Sequence, residues 1–196
     1  MTDGNYPNRP NHTYELRAHG IEEQLEYVVE KYPCKSGIKT MFIGGNHDYS
    51  HMRNAGFDIG KAVAKERTDM VYLGQDVADV NYGKTKIRLF HGCKGQSYAR
   101  SYRMQKYVEQ IPSYEKPHIL LMGHYHNSFY MKYSDVYCFQ VPAVIDQTPY
   151  ARSLGLNNEK GAWIADFTTD KYGNIITMTP EFLDFTDQKT LIRKKR

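Results

Sequence analysis

The sequence has few cysteines, no long apolar run and no strong excess of one charge. Its three cysteines, Cys34, Cys93 and Cys138, are an odd number without a CxxC pair. That excludes a disulfide framework and a thiolate zinc site. Cys34 and Cys138 read as small buried hydrophobes, whereas Cys93 directly follows His91-Gly92 and would share its surroundings. No segment approaches the ~20 apolar residues of a membrane span, and the first residues show no signal-peptide pattern. The expectation is a cytoplasmic protein with no membrane partner. A net charge of +4 is too mild to argue for nucleic acid by itself. The clearest basic run, Arg193-Lys194-Lys195-Arg196, reads as a solvated terminus. There is no internal repeat, no low-complexity stretch and no linker.

What is present fits a globular protein. The 196 residues are 40% hydrophobic and 24% charged, enough for one domain over 1–196 that buries roughly 70% of its unfolded surface. Residues 1 to 12 are polar and turn-prone. Ile21, Leu25, Val28 and Tyr32 recur at helical spacing, so a helix is expected from about Tyr14 to Lys31, stopped by Pro33. Strands are expected at Ile38 to Ile43 and at Met70 to Leu73, with a helix from Phe57 to Arg67 between them. Val77 to Tyr82 and Thr85 to Phe90 flank a turn at Gly83-Lys84. A helix follows over Tyr98 to Gln110, then a strand from His118 to Met122. Beyond it Val136 to Val144, Ala162 to Thr168 and Ile175 to Phe185 are all strand-like. The last two join through a turn at Asp170 to Asn174. This order predicts an α/β (α+β) protein with two packed sheets and helices outside, rather than a simple alternating parallel sheet.

Three short segments carry the chemistry: Gly44-Gly45-Asn46-His47-Asp48, His91-Gly92 and Gly123-His124-Tyr125-His126. Each follows an apolar strand, where open α/β sheets place their sites, and each is read as a loop. Asn46, His91, His124 and His126 form a candidate metal-ligand set. Imidazole nitrogen and amide oxygen suit Mn, Fe, Zn or Ni without any thiolate. Glycines beside the ligands permit sharp turns and close approach. His47 is a spare imidazole, with Asp48 expected to hold it for proton transfer. His12, His19, His51 and His118 read as satisfied structural residues.

These segments resemble the calcineurin-like metallophosphoesterase superfamily. Gly45-Asn46-His47-Asp48 is similar to its G-N-H-D/E block, His91-Gly92 to its isolated histidine motif, and Gly123 to His126 to its G-H-x-H block. The resemblance covers at least residues 38 to 127. It implies a four-layer α-β-β-α sandwich and a centre of two divalent metal ions, manganese favoured. It also implies hydrolysis of phosphomonoesters or phosphodiesters, nucleic acid among them, by a metal-bound hydroxide. On this resemblance Asn46, His91 and His124 bind one metal and His126 the other. His47 is the acid or transition-state donor, oriented by Asp48.

The sequence departs from that pattern at its start. No D-x-H precedes Asn46, and Met1-Thr2-Asp3-Gly4 looks like the end of a G-D-x-x-D-G block. The expectation is an N-terminally truncated member with an incomplete second metal site. Two other readings compete with a phosphoesterase. One is a remnant that serves as a non-catalytic binding or scaffold module. The other is a structural single-metal protein, ranked last because structural zinc sites usually use cysteine. The stretch Tyr98 to Tyr107, with Arg100, Arg103 and Lys106, is either a nucleic-acid contact or an amphipathic helix with a solvated basic face.

Overall fold

The computed structural model describes residues 1–9 and 14–186, and within them the chain is mixed α/β. The basic run 193–196 and His12 lie outside the described residues. The chain divides into two compact units, Met1–Ala78 and Asp79–Arg196.

The first unit contains α1 (Gly20–Lys31), β1 (Thr40–Gly44), α2 (Asn46–Ala55), α3 (Ile59–Glu66) and β2 (Met70–Gln75). β1 and β2 run parallel, pairing Thr40 with Met70 and Phe42 with Tyr72. Their core is Val28, Phe42, Val63 and Met70, with Leu25 and Tyr72 packed against it. Val28 and Leu25 come from the apolar stripe of α1, which begins at Gly20 rather than at Tyr14. Asp58 caps α3 by accepting from the Lys61 N–H at 3.1 Å. Arg67 closes the end of α1. Its guanidinium donates to the carbonyls of Val29, Tyr32 and Pro33 and pairs with Asp69 at 2.7 Å. It thus satisfies carbonyls a helix terminus leaves open.

The second unit is built on a five-stranded sheet in the order β3-β4-β5-β7-β6. Its strands are β3 (Val77–Tyr82), β4 (Thr85–Phe90), β5 (Ile119–Met122), β6 (Phe129–Tyr133) and β7 (Val136–Gln140). β4, β5 and β7 are mutually parallel, and β6 returns antiparallel to β7. The expected hairpin at Gly83-Lys84 is present. Helix α4 (Tyr102–Gln110) sets Met104 and Val108, four residues apart, into a core of Leu120, Met122, Tyr125, Val136 and Cys138. Tyr107 of α4 stacks on Phe90 at 3.9 Å. Of the expected helix over 98–110 only the part from Tyr102 forms, and Tyr98 stands fully exposed before it. A short helix, α5 (Pro149–Ser153), precedes an antiparallel hairpin of β8 (Gly161–Thr169) and β9 (Ile175–Asp184). Trp163 of β8 donates to the Gln140 carbonyl at 2.9 Å. The fully buried Thr85 hydroxyl donates to the Gly173 carbonyl at 2.8 Å.

Among the free cysteines Cys138 is buried as expected, and burial pushes its thiol up to about 12. Cys34 is exposed, against expectation. It lies just past the end of α1. No helix among the described residues is long and apolar enough to cross a membrane.

Candidate metal centre

In the first unit the motif segment is not a loop. Asn46, His47 and Asp48 form the first turn of α2, entered directly from β1 through Gly45. Asp48, the third residue of the helix, accepts the Gly45 N–H at 2.9 Å, the carboxylate half of a capping box. The same carboxylate receives the Met1 ammonium at 3.1 and 3.2 Å, the Thr2 N–H at 3.0 Å and the Thr2 hydroxyl at 2.9 Å. Burial alone would raise this carboxyl. The ammonium and the three hydrogen bonds outweigh it and hold it below the usual carboxylate range.

The expected pairing of Asp48 with His47 is therefore replaced. His47 Nδ1 lies 2.7 Å from the Asp3 carbonyl. A carbonyl only accepts, so Nδ1 carries the proton and Nε2 is the basic nitrogen. Asp48 positions the helix turn, and the N-terminal strand of chain orients the imidazole. That segment is itself held by the buried amide of Gln24, which accepts from Asp3 N and Gly4 N and donates to the Gly4 carbonyl. Gly4 has φ +86°, and a Cβ there would lie 2.7 Å from Ser50 Oγ and 3.0 Å from the His47 carbonyl. Only glycine lets the chain run this close to α2.

In the second unit strand register assembles the site. Phe90 at the end of β4 pairs with Met122 at the end of β5, and the Gly123 N–H still bonds the Phe90 carbonyl at 2.9 Å. His91 and His124 thus leave neighbouring parallel strands at the same carboxyl edge. Their rings meet edge to face, with His91 Nε2 3.2 Å from His124 Nδ1. His124 Nε2 lies 3.0 Å from the Lys94 carbonyl and must donate to it, so Nδ1 carries the lone pair and accepts the hydrogen bond from His91 Nε2–H. An imidazole anchored through one nitrogen to a carbonyl, with the other turned to the centre, is the usual setting of a metal ligand.

The spacing also fits. Two nitrogens each about 2.1 Å from one ion, at angles between square and tetrahedral, lie roughly 3.0 to 3.4 Å apart. His124 and His126 both adopt positive φ, +77° and +54°, conformations uncommon outside glycine and persistent only where surroundings enforce them. Gly92, at φ +84°, lets this happen: a Cβ there would lie 3.1 Å from the Gly123 carbonyl and 3.2 Å from His124 Cβ.

Sequence reasoning missed the residues that brace these loops. The Glu159 N–H donates to the His126 carbonyl at 2.8 Å. Its carboxylate accepts from the Ser128 N–H and hydroxyl and from Arg100. Burial would raise Glu159, but these bonds bring it below its ordinary value. Gln96 donates to the Tyr125 carbonyl at 2.8 Å, and the Tyr125 hydroxyl to the Cys93 carbonyl at 2.7 Å. No spacing signal marks Glu159; only the fold brings it to residues 126–128.

The structural histidines divide. His118 Nδ1 accepts the Lys86 N–H at 2.9 Å, and His19 precedes α1. His51 departs from expectation: it is fully buried on α2, and both ring nitrogens lack a hydrogen-bond partner among the described residues. Burial lowers its pKa, Asp48 opposing. Among the described residues no group of three or more His, Cys, Asp or Glu is placed to hold a metal ion.

No family model and no curated protein matches the sequence. Solved structures resemble its backbone. A single mutant of Vps29 from Entamoeba histolytica aligns over 94% of this chain and 96% of its own, at 15% identity and TM-score 0.44. A predicted phosphoesterase from Streptococcus pneumoniae aligns over 82% and 80%, at 14% identity and TM-score 0.47. An archaeal phosphodiesterase aligns over 81% and 74%, at 11% identity and TM-score 0.45. At these identities and scores the reading of the site rests on its own residues.

Proposed function

We propose that this chain is a metal-dependent phosphoesterase of the calcineurin-like metallophosphoesterase superfamily. The observation that carries this reading is the His91–His124 pair, two imidazole nitrogens 3.2 Å apart at the carboxyl edge of adjacent parallel strands. His91 and His124 would hold a divalent ion in place of the hydrogen bond that now joins their rings. His126 would be a further donor in the same unit; by the motif resemblance alone Asn46 would join the first ion, manganese favoured, and the second site is incomplete. When bound, such ions neutralise phosphate charge and lower the pKa of water.

The chain's own residues do the rest. Lys94 fixes the His124 tautomer through its carbonyl. Glu159 and Gln96 hold the backbone of the His124–His126 loop. His47, its Nδ1–H fixed on the Asp3 carbonyl, would in its protonated form donate the Nε2–H to a leaving oxygen. Asp48 acts as a positioning residue. The substrate is a phosphate ester.

The test is metal content after dialysis against Mn²⁺, with hydrolysis of bis-p-nitrophenyl phosphate measured in parallel. Metal uptake at His91 and His124, lost in His91→Ala and His124→Ala, is expected, with turnover held low by the incomplete second metal site. A chain that takes up no metal and leaves the ester intact overturns the reading and returns the protein to the class of non-catalytic binding modules.

A further inference from the structure

The second unit carries another polar surface, at the opposite end of its sheet from the histidines. His91 and His124 follow β4 and β5, whereas Lys84 precedes β4 and Lys116 precedes β5. The two ends are a strand length apart, roughly 13–20 Å. Three turns meet at the lysine end. The Lys86 N–H donates to His118 Nδ1 at 2.9 Å, and Lys86 Nζ donates to the Glu115 carbonyl at 3.3 Å. These bonds join the turn before β4 to the loop before β5. The Thr85 hydroxyl, donating to the Gly173 carbonyl, joins it to the turn of the last hairpin. Gly173 is buried at φ +94°, and a Cβ there would lie 2.6 Å from the Lys84 carbonyl carbon. Glycine lets the two turns touch.

These turns present tyrosines and lysines. Tyr82, Tyr114 and Tyr172 are 70%, 83% and 64% exposed. Among the described residues they are the only large apolar side chains exposed within 82–86, 112–118 and 170–174. Among the described residues none of Lys84, Lys116 and Lys171 pairs with a carboxylate, whereas Arg100 and Lys106, in the basic stretch nearer the histidines, both do. Asp170 does not neutralise its neighbour Lys171, because its oxygens accept from the Tyr172 N–H, the Asn174 N–H and the Asn174 amide. Lys171 Nζ lies 5.0 Å from the Tyr172 ring centroid, so the ammonium covers one face and leaves the other open. Isolated lysines on turns are ordinary solvated charges. Here three uncompensated ones share a surface with three exposed rings, on turns bonded to one another.

A partner for this surface needs several negative charges and flat faces that can stack. Single-stranded nucleic acid offers both, since its bases are free to leave one another for an aromatic ring. A duplex keeps its bases stacked inside. A lipid surface fits less well, because segments that enter the headgroup layer bring Trp, Phe or Leu on a broad apolar face, and these turns expose only tyrosine. We infer that the turns at 82–86, 112–118 and 170–174 bind single-stranded nucleic acid, with Lys84, Lys116 and Lys171 on its phosphates and Tyr114 and Tyr172 stacked on its bases. This binding requires neither metal nor the histidines.

Fluorescence anisotropy of a labelled oligothymidylate of about 12 nucleotides, titrated with the full chain kept metal-free by chelator, tests it. Binding is expected at low salt, its logarithm falling by roughly 2 per decade of salt as three phosphates are neutralised. The triple variant Lys84→Gln, Lys116→Gln, Lys171→Gln should lose most of that slope. Tyr114→Ala should weaken binding about fivefold or more while keeping the slope. Circular dichroism spectra matching the native chain show both variants folded, and Tyr114→Ala, altered only at an exposed turn, decides the matter if the triple variant is not. No binding at low salt, a duplex bound as tightly as the single strand, full affinity in Tyr114→Ala, or an unchanged slope in a folded triple variant overturns the inference. Phosphatidylserine vesicles that bind more tightly than the oligothymidylate overturn it in favour of a lipid surface.

Discussion

The two units hold their imidazoles by opposite means. In the first, His47 rides on the exposed first turn of a helix, and its orientation depends on the neighbouring buried carboxylate of Asp48 and on a buried amide and a glycine from distant parts of the chain. In the second, His91 and His124 are placed by the parallel register of two buried strands, and one carbonyl sets the tautomer. Polar bracing is sensitive to single atoms and to protonation. Register is set by a whole apolar face and resists small changes, because slipping it would expose every core residue of the strand.

The sharpest way to break the contrast is Asp48→Ala. It leaves the Met1 ammonium, two N–H groups and a hydroxyl without their acceptor, so the first unit should lose about 3 kcal/mol or more. Urea unfolding followed by circular dichroism measures it, and a loss under 1 kcal/mol would show the carboxylate to be dispensable. His91→Ala should do the reverse. Stability should change little at this half-buried loop position, while Mn²⁺ affinity falls roughly 100-fold or more, the upper range for disturbing even an outer-shell partner. Retained affinity in a metal titration would remove His91 from the site.

Gly92→Ala probes the close approach of the two histidine loops. A Cβ at φ +84° with neighbours at 3.1 Å should cost about 1–2 kcal/mol. It should also shift the His124 ring signals in an NMR spectrum. Equal stability would mean the loop relaxes freely.

The smallest effect is a pH slope from His51. Burial lowers its native pKa below the ordinary 6.5, so the unfolded state binds the extra proton. Stability contributed by the neutral ring is therefore complete above the unfolded value and lost as pH falls below it. Asp48, His47 and the Met1 ammonium are the charged groups that act on it. The slope cannot exceed about 1.4 kcal/mol per pH unit for one proton. His51→Leu should flatten the urea midpoint between pH 6.5 and 5; an unchanged slope would exonerate His51.

The strands before the three motif segments were legible because each is an apolar run stopped by glycine or histidine. The hairpins at residues 83–84 and 170–174 announced themselves through glycine. Helix α2 was not legible: Asn46–Ala55 is polar, and its buried residues are Asp48, Ser50 and His51, so no apolar period exists to be read. Strand β6 was missed because its turn is Ser134-Asp135, both at positive φ, where Asn-Gly would have been the recognisable signal. Among the site residues, the chemistry of His91 and His124 could be read from residue type and strand context. The partners of Asp48 and the brace at Glu159 could not, since hydrogen bonds to residues 46 and 31 positions away leave no periodic trace.

The Thr85 hydroxyl reaches a carbonyl 88 residues further along the chain. While the protein is still being synthesised, the edge of the five-stranded sheet can form, but this oxygen has no acceptor until Gly173 has left the ribosome. The turn of the last hairpin thus acts as a clasp that closes after everything between has been made. A nascent chain halted before it would leave Thr85 and the sheet edge beside it open to water.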